Sequence, residues 1–191
     1  MKVIGVDIGG TNTELAIVDS NNGILKMSAF KTKASNSFFE YINNLSSQIE
    51  ALTLEYSIDS IGIGAPNFDS KEQTFCPVNF PWDDLKPFNL KAHLESLISI
   101  PTFLINDANA SAMAENRYGA GKKYKDFLLI TIGTGLGGGI IINNQLFEGA
   151  FGYAGEFGHT KIDGLDRQCN CGGVGSVSYT HLTLPTMAIG W

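Results

Sequence analysis

Cysteine is scarce: three residues in 191, two of them in Cys169-Asn170-Cys171. That fits a reducing, cytoplasmic setting better than a disulfide framework. No apolar run approaches the roughly 20 residues needed to span a membrane. Basic residues are outnumbered, 13 Lys and Arg against 19 Asp and Glu, giving a net charge of −6. The deficit argues against nucleic-acid and anionic-membrane partners in general. Met1-Lys2-Val3-Ile4-Gly5 runs straight into a strand pattern, with no signal-peptide core. What is abundant is apolar surface, 43% of residues, and glycine, 22 residues without a repeat. The first supports a packed core without staples, and the second implies many close backbone approaches.

Three short segments rich in Val, Ile, Leu and Phe open the chain, at 2–8, 13–19 and 24–30. Gly9-Gly10-Thr11-Asn12 and Ser20-Asn21-Asn22-Gly23 separate them, which predicts three antiparallel strands. Ser37 and Glu40 form a candidate capping box before Phe38, Ile42, Leu45, Ile49, Leu52 and Tyr56, a helical stripe. A buried strand follows at 59–64, then a Pro- and aromatic-rich loop over 67–87, in which Trp82 is expected to pack. Asn89 is placed to cap a second helix ending before Pro101, with His93 structural or solvated within it. Strand 102–105 leads through Asn106-Asp107 into an Ala-rich helix closed by Gly119. The order is βββαβαβα, a meander extended by parallel strands with crossover helices. Strand 127–131, a Gly-rich turn over 133–139 and strand 140–142 then repeat the opening pattern. The weak duplication suggests two similar lobes, with boundaries at 1–118 and 119–177.

The loop Asp7-Ile8-Gly9-Gly10-Thr11-Asn12 joins two strands. Its glycines let backbone N–H groups approach phosphate oxygens, Thr11 offers a hydroxyl, and Asp7 could hold Mg²⁺ through water. Gly133-Thr134-Gly135-Leu136-Gly137-Gly138-Gly139 contains a G-x-G-x-x-G match, but Ile140-Ile141-Ile142 after it is a strand. A dinucleotide fold needs a helix there, so that reading is rejected. No G-x-x-x-x-G-K-S/T occurs, which excludes a P-loop NTPase. Two phosphate-type Gly hairpins on two lobes fit an ATP clamp.

Asp7-Ile8-Gly9-Gly10-Thr11, Ile105-Asn106-Asp107-Ala108-Asn109-Ala110, the Gly133–Gly139 run and Gly155-Glu156-Phe157-Gly158-His159 appear in that order. Together they resemble the ROK family of sugar kinases and repressors, within the actin-like ATPase superfamily, over residues 2–175. The resemblance implies an α/β, actin-like ATPase (ribonuclease H-like) two-lobed fold. It implies Mg-ATP-dependent phosphorylation of a hexose, glucose first, with N-acetylhexosamines and fructose as alternatives. Asp107 falls on the family's base, and its place at a helix N-terminus favours the ionised, proton-accepting form. Asn106, Glu156, His159 and, less securely, Asn79 fall on sugar-binding positions. Asp7, Gly9, Gly10, Thr11, Asn12, Gly133, Thr134 and Gly135 fall on the ATP-binding loops. Lobe closure around the sugar would exclude water. A homo-oligomer is the family expectation. A repressor relative would add an N-terminal helix-turn-helix, which is not found ahead of the first strand; a non-catalytic sugar binder is the other alternative.

His159, Cys169 and Cys171 match three ligands of the family's His-Cys-Cys-Cys zinc site, but Ser176 stands where the fourth cysteine would be. A neutral hydroxyl is a poor substitute for a thiolate, so weak or no zinc binding is expected of this chain. From Ser176 the family pattern stops, without the Cys, the Glu and the helices that would complete the second lobe. Residues 178–191 lack a helical period and read as a foreign tail. These features predict an incomplete second lobe with an uncovered apolar face, and an inactive chain.

Overall fold

The computed structural model describes residues 1–69, 73–76, 80, 82, 86–133, 135–162, 164–169 and 172–180. The elements in chain order are β1 (Lys2–Ile8), β2 (Asn12–Asp19), β3 (Gly23–Lys31), α1 (Phe38–Glu55), β4 (Ser60–Ala65), β5 (Phe68–Asp69), β6 (Thr74–Phe75) and α2 (Leu90–Ile98). They continue with β7 (Thr102–Asn106), α3 (Asp107–Arg117), β8 (Phe127–Ile132), β9 (Leu136–Ile142), β10 (Gln145–Leu146) and α4 (Val177–Thr180). The chain divides into two compact units, Met1–Asp107 and Ala108–Trp191.

The first unit is built on a five-stranded sheet of order β3-β2-β1-β4-β7. β1, β2 and β3 form the antiparallel meander, and β4 and β7 run parallel to β1. Alternation along the strands buries Ile4, Val6 and Ile8 of β1, Leu15 and Ile17 of β2, and Ile61 and Ile63 of β4. The α1 stripe packs there with Tyr41, Ile42, Leu45, Ile49 and Leu52, and α2 adds Leu90 and Leu94. Each such side chain contributes about 1.5–3 kcal/mol by leaving water. Ser37 Oγ caps α1 by accepting from Glu40 N at 3.1 Å. The reciprocal bond differs from an ideal capping box: Glu40 Oε2 accepts from Asn36 N, not from Ser37 N, at 2.8 Å. Asn89 Oδ1 accepts from Ala92 N at 2.8 Å and starts α2 as expected.

The segment expected to be a plain loop after β4 contains a small hairpin, β5 paired with β6. Its apolar face explains the difference, because Phe75 is fully buried among Phe38, Phe80 and the aromatics around them. Trp82 is buried too, parallel to Phe80 at 5.3 Å between centroids, with Nε1 donating to the Ser35 carbonyl at 2.9 Å. It is a packing residue. His93 lies against Phe88, at 5.3 Å between centroids.

The second unit holds a three-stranded antiparallel sheet, β10-β9-β8. Here the sequence expectation is corrected. Residues 136–139 are not part of a Gly-rich turn but the first half of β9, and only Gly133–Gly135 make the turn. Glycine is needed in β9 for packing. A Cβ on Gly139 would sit 3.1 Å from the Ala108 carbonyl and closer still to the Ala112 methyl. One on Gly137 would meet Thr131 Oγ1 at 2.7 Å. That intimacy with α3 also places the helix in the second unit, so the compact units meet at 107/108 where the sequence suggested 118/119. The outward residues of β8, Leu128, Ile130 and Ile132, are 58%, 52% and 73% exposed, an apolar strand face left open at the sheet edge. Among the described residues no helix is long and apolar enough to cross a membrane.

Candidate functional site

In the first unit the candidate residues gather where three parallel strands end. Asp7 of β1 pairs with Gly64 of β4, and Ala65 of β4 pairs with Asn106, the last residue of β7. Asp107 follows at once as the first residue of α3. The carboxyl ends of neighbouring parallel strands are where open α/β sheets place ligands. The strand positions alone do not fix the chemistry, but the charges do more. Asp7 has its pKa raised, by desolvation first and then by the negative charges of Asp107 and Glu14. The Asp7 side chain still reaches solvent. Two carboxylates therefore share one electrostatic neighbourhood, an arrangement that fits a divalent cation or a cation-bound phosphate.

The β1–β2 turn adjoins this pair. Gly9 N donates to the Asn12 carbonyl at 3.0 Å, and Thr32 N to the Thr11 carbonyl at 3.0 Å. A Cβ on Gly9 would lie 2.9 Å from the Asn12 carbonyl oxygen, so the tight turn requires glycine there. Gly10 has open space around it, and Thr11 and Asn12 are exposed. Backbone donors and a hydroxyl are thus offered at the mouth of the turn.

In the second unit the turn after β8 is closed by Gly133 N donating to the Gly135 carbonyl at 3.0 Å. Gly133 faces open space and Gly135 packs loosely on Ser178, so both leave backbone accessible. Thr134 lies outside the described residues, as do Asn79 and Cys171. Glu156 precedes and His159 ends a single 3-10 turn, Phe157–His159. Their side chains are half-exposed, with His159 Nε2 3.7 Å from Glu156 Oε2. The other ring nitrogen, Nδ1, lies 3.6 Å from the sulfur of Cys169, which is buried. Backbone bonds hold that cysteine, with Cys169 N donating to the Gly173 carbonyl and Gly172 N to the Cys169 carbonyl, both at 2.9 Å.

The implied zinc site is testable at these positions. Sulfur and nitrogen ligands of one tetrahedral zinc stand about 3.5 Å apart, from bonds of about 2.3 and 2.0 Å. The His159–Cys169 pair meets that spacing. Ser176 does not complete the set: it is buried, bridged to Lys161, and offers a neutral oxygen where a thiolate is required. Among the described residues no three metal-ligating side chains cluster. A closed four-ligand zinc site does not fit the described residues.

Three polar residues near the first turn were missed from sequence. Thr13, Thr32 and Tyr41 are fully buried, and their hydroxyls join in series beneath Gly9. Thr13 gave a signal: it shares the inward face of β2 with Leu15 and Ile17, a polar residue in an apolar register.

The parallel strand ends, the glycine turn beside them and the helices packed on the sheet define an α/β protein. The pattern of the ROK family matches residues 3–179, and the chain belongs to that family. It is 38% identical to a glucokinase of Streptomyces coelicolor over 177 residues, covering 90% of this chain and 53% of that protein. It is 32% identical to a xylose repressor of Caldicellulosiruptor bescii, covering 91% of this chain and 45% of that one. The fold matches the crystal structure of a ROK family glucokinase from Streptomyces griseus in complex with glucose and AMPPNP, with a TM-score of 0.79 and 37% identity. That match covers 93% of this chain and 56% of the solved one. The chain thus spans about half the length of the curated relatives it matches.

Proposed function

We propose that this chain carries the catalytic half of an ATP-dependent hexose kinase acting on glucose. The observation that supports it best is the Asp7–Asp107 pair beside the Gly9–Asn12 turn, at the ends of β1 and β7. The likeness to the glucokinases of two Streptomyces species favours glucose over other hexoses.

In this reading Asp107 accepts the proton of the sugar hydroxyl as its oxygen bonds to the γ-phosphorus. The bond to the bridging β–γ oxygen breaks, and ADP leaves with that electron pair. A loose transition state needs the proton accepted only late, so a weak carboxylate base suffices. Asn106, Glu156 and His159 orient sugar hydroxyls, since an amide, a carboxylate and an imidazole together accept and donate. The amides around Gly10 and Thr11 and the Gly133–Gly135 turn hold phosphate oxygens. Asp7 would hold Mg²⁺ through water, where the metal neutralises charge on the phosphates.

The xylose repressor relative supports a second reading, sugar binding without phosphoryl transfer. One experiment separates them. This chain is completed with the remaining half of its relatives' length, ATP and glucose are supplied together, and sugar phosphate is followed by ³¹P NMR, with glucose affinity measured in parallel. The kinase reading expects glucose 6-phosphate, and a rate about 10²–10⁴-fold lower in Asp107→Asn with little change in glucose affinity. Glucose binding without any phosphate transfer favours the binder. Near-normal turnover in Asp107→Asn removes Asp107 from the role of base.

A further inference from the structure

The three buried hydroxyls under the first glycine turn have only one way to arrange their protons. Thr32 Oγ1 donates to the Gly9 carbonyl at 2.8 Å, which uses its single proton. Its 2.9 Å contact with Thr13 Oγ1 must then be one in which Thr13 donates. Thr13 has spent its proton in turn, so at the 2.9 Å contact with Tyr41 Oη the phenol donates. The relay runs in one direction, Tyr41 to Thr13 to Thr32 to the Gly9 carbonyl. All three side chains are fully buried, where hydrogen bonds in series reinforce one another and a missing one is costly. Burial foremost, with the Asp7 charge adding to it, pushes the Tyr41 phenol well above its ordinary range, so the first donor keeps its proton.

The end of the relay matters for the turn. Across a planar trans peptide the C=O and the N–H point in opposite directions. The Gly9 carbonyl is drawn inward onto Thr32, so the Gly10 N–H of the same peptide is turned outward. Gly9 N is likewise tied inside, to Asn12, and Thr32 N holds the Thr11 carbonyl. The peptide that would otherwise be the most mobile in a Gly-Gly turn is thereby fixed.

We propose that Thr32, Thr13 and Tyr41 are positioning residues for nucleotide binding, their relay presenting the Gly10 amide to phosphate oxygens. The proposal rests on the kinase reading for its ligand, but not for the ordering of Gly10. None of the three touches the phosphates; each acts through the Gly9–Gly10 peptide.

The test combines ¹⁵N relaxation at Gly10 in the ligand-free chain with titrations of AMPPNP and of glucose. The variants are Thr32→Val, Thr32→Ser and Tyr41→Phe. The unsubstituted chain and Thr32→Ser should show a rigid Gly10 amide, with an order parameter near about 0.85, and Thr32→Val one nearer about 0.6. AMPPNP affinity should fall about tenfold in Thr32→Val and about threefold in Tyr41→Phe, with Thr32→Ser rescuing it. Glucose affinity should stay level throughout. If Thr32→Val does not fold, Tyr41→Phe against the unsubstituted chain decides by the same two readouts. An unchanged Gly10 order parameter overturns the proposal, as does a Thr32→Ser variant as weak as Thr32→Val. If the unsubstituted chain binds no AMPPNP while Gly10 still follows Thr32, the nucleotide role of the relay falls for this chain, and the kinase reading is decided separately by phosphate transfer in the completed protein. The ordering of the turn would remain established by its own signal.

Discussion

Nδ1 of His159 and Sγ of Cys169 face each other at 3.6 Å, the spacing of two ligands on one tetrahedral zinc, and Ser176, the position where the resemblance sets the fourth ligand, is a buried serine. Zinc sites bind tightly because every ligand is a good donor held in place, and binding couples to folding. Replacing the poor donor should therefore show directly. Ser176→Cys is expected to tighten zinc binding about 10²-fold, measured by competition against a chromophoric chelator. Equal affinities in the two proteins would mean that position 176 does not face the metal.

Asp7 bears an electrostatic cost in the folded chain. Its folded pKa is raised, by desolvation first and by Asp107 and Glu14 next. The sign follows from linkage: a carboxyl that binds protons more readily when folded does not destabilise below its unfolded pKa. It costs stability increasingly as pH rises through the folded value. Asp7→Asn should therefore melt about a degree or two higher at neutral pH, a small effect because solvent screens the exposed carboxylate. The gain should vanish below the ordinary carboxylate range, where the unsubstituted Asp7 is itself neutral. Thermal melts of the two proteins from acid to neutral pH give the answer. A gain that persists in acid would assign the stabilisation to something other than charge.

Periodic features of the fold were legible in the sequence. Alternation gave β1 and β2, and the 3.6-residue stripe with Ser37 before it gave α1, because these patterns are local consequences of burial. The β5–β6 hairpin was not legible. It depends on Phe75 meeting Phe38 and Phe80 through space, and nothing at residues 67–76 alternates long enough to announce it. In the site, Asp7, Asn106 and Asp107 were readable as strand-end and helix-start residues. The relay was not, since Tyr41 occupies an apolar stripe position and Thr32 follows the end of β3, and only the packing of α1 on the sheet brings them under Gly9.

Glycine shows the same limit most clearly, because one residue type serves two purposes that sequence cannot separate. Gly10 has open space where a Cβ would go, whereas Gly139 has the Ala108 carbonyl at 3.1 Å and the Ala112 methyl nearer still. Gly10→Ala should therefore fold with little loss of stability, and if the turn binds phosphate its methyl should stand in the way of the nucleotide and weaken AMPPNP binding. Gly139→Ala should instead cost about 1–3 kcal/mol of stability by pushing β9 away from α3. Urea denaturation of both variants, set beside AMPPNP titration of Gly10→Ala, tests the division. A Gly139→Ala protein as stable as the parent would show that α3 can move off the sheet at little cost. A Gly10→Ala protein with full nucleotide affinity would remove the Gly10 amide from the phosphate site.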